Sequence, residues 1–262
     1  MKKALLYFVI FLALYLGACA LFFSGLILYA YMAGVPSDPL LDAPWVEEVG
    51  LFLAFAGILA YFIRRPEVRR MLTVRTGNMG TTCALAAVAA LCLVFIESPI
   101  INALGLEDVD KDTQDSMTNS ALSLLTGCAF APFVEEMVFR GAITSSLLAW
   151  RRNVVVALAA PSLLFAVAHL YFALTPFYFA FGLIAGWFVI RTGSLWPSVV
   201  FHATNNILCA ATDYINACIP KMDESTETAV SWAFAAASAI GLTACIMVLN
   251  RKTKATKFVS YK

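Results

Sequence analysis

The chain has few charged residues for its length, and it lacks several patterns that common enzyme classes require. Only 13% of its 262 residues are charged, against about a quarter in soluble globular domains. Its seven cysteines occur without a Cys-x-x-Cys pair, which argues against a disulfide framework or a zinc cluster. There is no Gly-x-Ser-x-Gly motif for a serine nucleophile and no pair of aspartates within the apolar runs for aspartyl chemistry. A soluble enzyme is therefore excluded.

Long apolar runs make up most of the chain, which is 61% hydrophobic. A helix needs about 20 apolar residues to span the hydrocarbon core of a bilayer. Eight candidate runs occur, at 4–33, 49–63, 81–104, 119–146, 153–173, 177–190, 195–214 and 229–249. The sequence therefore predicts an all-α fold, a polytopic membrane helix bundle with about eight transmembrane helices. We expect residues 1–262 to form a single integral membrane domain.

The charges between the apolar runs alternate in sign along the chain. Fifteen of the 18 basic residues fall on one side of the predicted bundle, among them Lys2, Lys3, the arginines of 64–75, Arg191 and the basic residues of 251–262. By the positive-inside rule this side is cytoplasmic, so both termini should be cytoplasmic in a multi-pass protein of the cell membrane. The first run contains a possible lipoprotein cleavage box before Cys19. It continues unbroken to Ala33, however, so we expect it to span the membrane.

Six polar residues within three of these runs are the candidate catalytic groups. They are Glu135, Glu136 and Arg140 in one run, His169 in the next, and His202 and Asn206 in a third. Ionisable groups are costly in hydrocarbon, so such residues are by default a functional-site hypothesis.

The spacing of the two glutamates predicts different roles for them. Residues four apart share a helix face, so Glu136 can pair with Arg140 while Glu135 points elsewhere. An unpaired carboxylate in such a site can serve as a general base. The alternative is a buried charge cluster that only fixes helix packing, which would account for Glu136 and Arg140 but not for Glu135.

The two histidine motifs suggest further roles. Phe165 lies one turn before His169 and would shield its imidazole from lipid; Phe165 and Phe139 are the candidate substrate-binding residues. His202 and Asn206 are four apart, so they can offer two hydrogen-bond donors from one face, as an oxyanion hole requires. Interhelical hydrogen bonding is the alternative for that pair.

A metal site is a second alternative for the same residues. Two histidines and a glutamate could hold a catalytic zinc ion, but the sequence has no His-Glu-x-x-His motif. We expect no metal and no cofactor. A non-catalytic transporter or partner-binding scaffold is the rival class, although the sequence shows no inverted repeats typical of a transporter.

Three ordered motifs resemble those of a known family. They are Glu-Glu-x-x-x-Arg at 135–140, Phe-x-x-x-His at 165–169 and His-x-x-x-Asn at 202–206. In this order they resemble the CAAX protease and bacteriocin-processing family (CPBP, or Abi), which are glutamate-dependent intramembrane endopeptidases. The resemblance covers residues 119–215, the expected catalytic core.

The resemblance implies an eight-helix bundle with a cavity open to the cytoplasm and the lipid. It also implies that Glu135 and His169 activate the attacking water, that Glu136 and Arg140 support the site, and that His202 and Asn206 form the oxyanion hole. The implied substrate is a membrane-associated protein or peptide within the bilayer, with no nucleic acid involved. The compact length and the Met-Lys-Lys start are typical of prokaryotes. We therefore expect a secreted peptide, a bacteriocin-related leader or a membrane-anchored regulator, not a prenylated protein.

The depth of His169 presents a difficulty for this site. If the fifth run starts at Asn153, His169 lies about 24 Å along its helix, on the extracytoplasmic side, while Glu135 lies nearer the middle. Pro161 and the short sixth run therefore predict that the hairpin tip near Thr175 and Pro176 lies inside the membrane.

Overall fold

The protein, described here by a computed structural model, is built from helices. The structure describes residues 1–73, 79–106, 109, 111, 115, 117–151, 153–218 and 222–253, and this part of the chain contains no β-strand. The helices are α1 (Lys2–Ala33), α2 (Asp38–Leu41), α3 (Pro44–Phe62), α4 (Pro66–Thr73), α5 (Met79–Ala103), α6 (121–151), α7 (Val154–Ala168), α8 (Thr175–Thr192), α9 (Trp196–Ala210), α10 (Thr212–Cys218) and α11 (Glu224–Lys252). The predicted all-α fold is confirmed.

Six helical segments in the described residues are long and apolar enough to cross a membrane. They are Lys2–Ala33, Trp45–Phe62, Met79–Ala103, Ala121–Trp150, Phe172–Thr192 and Glu224–Lys252. α1 and α11 keep most of their side chains on the outside of the bundle, where lipid would contact them. The polytopic membrane helix bundle is therefore confirmed. α7 and α9 are shorter, at 15 residues each, so eight spans and two cytoplasmic termini stay predictions.

Local signals in the sequence set several helix boundaries. The Ser120 hydroxyl accepts hydrogen bonds from the first turn of α6, and the side chains of Asn153 and Asp223 cap α7 and α11 in the same way. Gly34 and Gly193 end α1 and α8 with φ of 67° and 68°, a backbone conformation that glycine adopts without a steric penalty.

The two ends of the bundle carry opposite charge. At the basic end, Lys3 of α1 forms an ion pair with Glu67 of α4, and Arg191 of α8 donates to the Asn250 carbonyl of α11. The Leu195 amide before α9 donates to the Met71 carbonyl of α4, so α9 also begins there. The acidic end is formed by the starts of α3, α6 and α11, together with the end of α5. There the Ser120 hydroxyl donates to Glu48, and Asn102 and Ala103 line a cavity with Glu224 and Glu227.

The two helices of the α7–α8 hairpin differ in length, because Phe172–Thr192 is of membrane length and α7 is not. α7 rises about 22 Å over its 15 residues, less than the roughly 30 Å of a hydrocarbon core. It ends at His169, after which Leu170 has a φ of 62° and Phe172–Leu174 forms a short 3-10 turn. The sixth run is therefore longer than its predicted bounds of 177–190, and a hairpin tip inside the membrane stays a prediction.

α6 is the central helix of the bundle, and it is not a regular α-helix. Its residues Thr126–Phe130 and Met137–Thr144 form π-helical turns. The second π-turn packs against α1, α4, α7 and α8, and all of its residues are buried. Such turns widen a helix by one residue and occur frequently at functional sites.

Candidate active site

Glu136 is the centre of a buried hydrogen-bond network. The Arg140 Nη1 donates to Glu136 Oε1 at 2.8 Å, and the Arg140 Nη2 donates to the Gly182 carbonyl of α8 at 3.2 Å. The Ser198 hydroxyl donates to Glu136 Oε2, and the His202 Nδ1 lies 3.0 Å from Glu136 Oε1. Glu136 and Arg140 have almost no exposed surface. A carboxylate with this many donors is held in one orientation, and together with Arg140 it joins α6, α8 and α9.

Glu135 has different surroundings from its neighbour. Its side chain is 15% exposed, and its Oε2 lies 3.8 Å from the Nε2 of His202. It lines a cavity of about 190 Å³ together with His169, His202 and Asn206. The structure thus pairs Glu136 with Arg140, as the helical spacing predicts, and leaves Glu135 at the cavity surface where it can contact a water or a substrate.

His169 is held by the residue one turn before it. Its Nδ1 lies 2.8 Å from the Phe165 carbonyl, and its ring stacks on Tyr178 with 4.3 Å between centroids. A carbonyl oxygen can only accept, so Nδ1 carries the proton in this hydrogen bond. In the neutral imidazole the Nε2 is then the acceptor, as removal of a proton from water requires.

His202 lies between the two carboxylates. Its Nδ1 faces Glu136, so that nitrogen donates, and its Nε2 faces Glu135. The Nε2 can serve as a hydrogen-bond donor only when the ring carries both protons. An oxyanion role for His202 therefore requires the ring to carry a proton on both nitrogens.

Asn206 is fixed by the first π-turn of α6. Its Nδ2 donates to the Gly127 carbonyl at 2.8 Å. An amide nitrogen carries two protons, so the second remains for another acceptor. The π-turn thus holds in place the amide that the sequence predicts as an oxyanion donor.

The two candidate substrate-binding phenylalanines lie in different places. Phe165 lines the cavity and contacts His169 and His202, with ring centroids at 4.5 and 5.6 Å, and the Arg140 guanidinium lies 4.6 Å from its ring. Phe139 is buried, packs edge-on against Phe11 and Phe165, and does not line the cavity. Phe139 is therefore a core residue behind Phe165 and not part of the cavity wall.

Several cavity residues have no role in the sequence analysis. Glu97 of α5 lines the cavity, as do Asn205 and Cys209 of α9. The aromatic wall is completed by Phe177, Tyr178 and Phe181 of α8. The signal for Glu97 was present in the sequence, because it is an ionisable residue near the end of an apolar run. Glu97 also lies next to an acidic stretch of the sequence, so its charge alone does not distinguish a cavity residue from a loop residue.

The candidate site was also compared with metal-binding geometry. Within the residues that the structure describes, no group of three or more His, Cys, Asp and Glu side chains is arranged to hold a metal ion. Nitrogen and hydroxyl groups of the protein itself donate hydrogen bonds to Glu136. One ring nitrogen of each histidine is hydrogen-bonded to a protein oxygen.

Comparison with known proteins agrees with the ordered motifs. Residues 117–208 match the model of the Rce1-like type II CAAX prenyl endopeptidase family. The Rce1-like segment contains all six candidate catalytic residues and nearly coincides with the expected core at 119–215. The resemblance to the CAAX protease family is thus confirmed over this segment, and it supports an intramembrane endopeptidase in a multi-pass membrane protein. No curated protein and no solved structure matches the chain at a significant level.

Proposed function

We propose that this protein is an intramembrane endopeptidase of the glutamate type. It would hydrolyse a peptide bond of a membrane-associated protein or peptide, with the water activated by Glu135 and His169. The observation that carries this proposal is the shared cavity. Glu135, His169, His202 and Asn206 come from three helices and line one space, while Glu136 and Arg140 lie behind it.

The reaction needs a base for the attacking water, and the cavity offers two acceptors. The Glu135 carboxylate, or the Nε2 of His169, takes one proton from the water, and the hydroxide oxygen bonds to the scissile carbonyl carbon. The carbonyl oxygen then carries the negative charge. Donors held in place where this charge develops stabilise the transition state, which is the role we assign to His202 and Asn206.

The second half of the reaction returns the proton. When the tetrahedral intermediate collapses, the carbonyl double bond forms again and the carbon–nitrogen bond breaks. The proton taken from water passes from Glu135 or His169 to the leaving amine, so that both groups return to their starting state. The Glu136–Arg140 pair takes no proton in this scheme; it positions His202, through the hydrogen bond at Nδ1.

Cleavage by the purified protein in detergent tests the proposal. We would offer membrane-anchored fluorogenic peptides, with and without a prenyl group, to the wild type and to Glu135→Gln. Glutamine is nearly isosteric with glutamate, so this variant should fold normally and lose all cleavage. Equal cleavage by both proteins, or none by the wild type on any peptide of the panel, would contradict the proposal.

Chelators separate this mechanism from a zinc-dependent one that uses the same residues. Activity should survive strong chelators, and the purified protein should hold no stoichiometric metal. Activity that is lost on chelation and restored by zinc would instead assign His169, His202 and Glu135 to a metal site.

A further inference from the structure

The candidate active-site cavity is closed toward the basic end of the bundle. The residues that follow the site in that direction are packed: Ser198 and Phe201 of α9 are fully buried, and so are Val138 of α6 and Phe188 of α8. The Glu136 network adds hydrogen bonds across the same layer. Among the described residues, the layer between the cavity and the basic end is therefore packed.

The remaining cavity wall comes from the opposite half of the bundle. α5 and α9 both run from the basic end toward the acidic end, and the cavity is lined by Glu97 and Ile101 near the end of α5 and by Cys209 near the end of α9. Met117 lies before α6, which begins at the acidic end, and Leu174 lies at the tip of the α7–α8 hairpin. Glu97, Ile101, Met117 and Cys209 are all partly exposed. The cavity wall that the structure describes therefore lies in the acidic half of the bundle.

Glu97 gives this half of the cavity a chemical preference. It lines the same cavity as Glu135, Asn205 and Cys209, and the acidic end of the bundle also carries Glu48, Asp213 and Glu224. Carboxylates along a cleft with low-dielectric walls raise the local concentration of cations. A substrate with a basic side chain near its scissile bond fits such an entrance, and an acidic one does not.

We propose that the substrate enters from the acidic end of the bundle and that Glu97 binds a positively charged side chain of it there. With the orientation that the positive-inside rule predicts, this end is extracytoplasmic. The substrate class is then a membrane-anchored or secreted peptide with a basic segment on the outer side of the membrane. This is opposite to the cytoplasmic entrance that the family resemblance implies. The inference rests on the proposed function for its substrate, but its first test requires no turnover.

That test uses Cys209 as a native reporter of access. The full-length protein is placed in right-side-out and in inverted vesicles, treated with a membrane-impermeant maleimide, and digested for peptide mapping. Cys218, which is exposed at the acidic end, marks one side, and an Arg69→Cys variant, with the new thiol on the exposed face of α4, marks the other. Cys209 should be labelled from the same side as Cys218. Labelling from the side of Arg69→Cys, or from neither side, overturns the proposed entrance.

The second test measures the preference for positive charge. Two membrane-anchored peptides, identical except for lysines or alanines beside the anchor, are bound to the inactive Glu135→Gln protein. We expect the lysine peptide to bind at least about tenfold more tightly, since a hydrogen bond to a charged group is among the stronger ones. Adding Glu97→Gln should abolish this difference, and Glu227→Gln, which removes a charge from the same end outside the cavity, should retain it. No preference in the Glu135→Gln protein, or a preference that survives Glu97→Gln, overturns the role of Glu97.

The two tests distinguish this inference from the proposed function. Labelling of Cys209 reports the entrance whether or not any peptide is cleaved. A protein that cleaves its peptides but is labelled from the basic side would retain the endopeptidase function and lose the proposed entrance. A protein that is labelled from the acidic side but cleaves nothing would lose the function alone.

Discussion

Glu135 and Glu136 are adjacent in the sequence and have opposite surroundings. Three side chains donate to Glu136, whereas Glu135 faces the cavity. Because protein donors surround Glu136 and Glu135 lines the cavity, Glu135 is the one of these two glutamates that we propose as a base for water. The different roles that we propose for the two glutamates therefore follow from the helix face on which each residue lies.

Asn206 should contribute to the rate without being indispensable. Removing one oxyanion donor typically costs about 10²–10³ in kcat, so Asn206→Ala should retain a measurable residual cleavage. Asn205→Ala, which removes the neighbouring amide, should reduce the rate less. Cleavage kinetics of both variants in detergent would check this. An Asn206→Ala protein as fast as the wild type would remove Asn206 from the oxyanion hole.

Arg140 should matter for folding as well as for activity. Arg140→Ala leaves Glu136 buried without its ionic partner, which costs about 3–5 kcal/mol when one side of a buried pair is removed. Arg140→Lys keeps the charge, but a lysine cannot contact both Glu136 and the Gly182 carbonyl as the arginine does. The stability of Arg140→Lys should therefore lie between that of the wild type and that of Arg140→Ala. Folded yield and melting temperature in detergent measure the effect. If Arg140→Ala folds well but is inactive while Glu135→Gln still cleaves, the two glutamates exchange roles.

At the scale of helices, local spacing predicted some contacts and could not predict others. The Glu136–Arg140 pair follows from a four-residue spacing, but the contacts of Glu136 with Ser198 and of Arg140 with Gly182 join residues far apart in the sequence. Phe139 is a candidate substrate-binding residue in the sequence, but in the structure it packs behind Phe165 and does not line the cavity. Its residue type could not distinguish a cavity wall from a buried core position.

The contact between α7 and α8 depends on a glycine. A Cβ atom at Gly182 would lie 2.8 Å from the Cβ and 2.9 Å from the Cα of Ser162 on α7. Gly182→Ala should therefore separate the two helices, shift the carbonyl that Arg140 contacts, and lower the free energy of unfolding by about 1–3 kcal/mol. Gly57→Ala is the matched control because nothing lies within 4 Å of that position. A thermal melt in which both variants behave alike would contradict this packing.

The contact between α1 and α4 should make the protein sensitive to acid. Burial alone would raise the pKa of Glu67, but the hydrogen bond from Tyr7 and the ion pair with Lys3 outweigh it and hold that pKa below its usual range. The contribution of Glu67 to stability is therefore present above the ordinary glutamate pKa of about 4.3 and is lost as the pH falls through the lower, folded-state value. The melting temperature of Glu67→Gln should fall less on acidification than that of the wild type. An equal decrease of the melting temperature in Glu67→Gln and the wild type would contradict this. Glu227→Gln removes an exposed carboxylate, so this control should behave like the wild type.

At the scale of the whole molecule, composition and charge were more informative than motif spacing. Apolar runs of membrane length predicted the all-α bundle, and the alternation of charges separates its two ends. The number of crossings was harder to predict because α7 and α9 are short, and a short apolar helix can enter a membrane without spanning it. The family resemblance implies a cavity open to the cytoplasm, whereas the entrance that we propose lies at the opposite end, because access depends on which layer of the bundle is packed.

The orientation of the bundle is the last prediction, and it decides the side from which a substrate arrives. Fifteen of the 18 basic residues fall on one side of the topology that the sequence predicts, so this side should remain in the cytoplasm during insertion. A reporter fused after Lys262 should therefore be cytoplasmic, and one inserted after Cys218, between α10 and α11, should be extracytoplasmic. Because the two fusions lie on either side of α11, equal readings from them would contradict its crossing of the membrane. An inverted pair of readings would keep the bundle and reverse its orientation, which would place the entrance beside Glu97 in the cytoplasm.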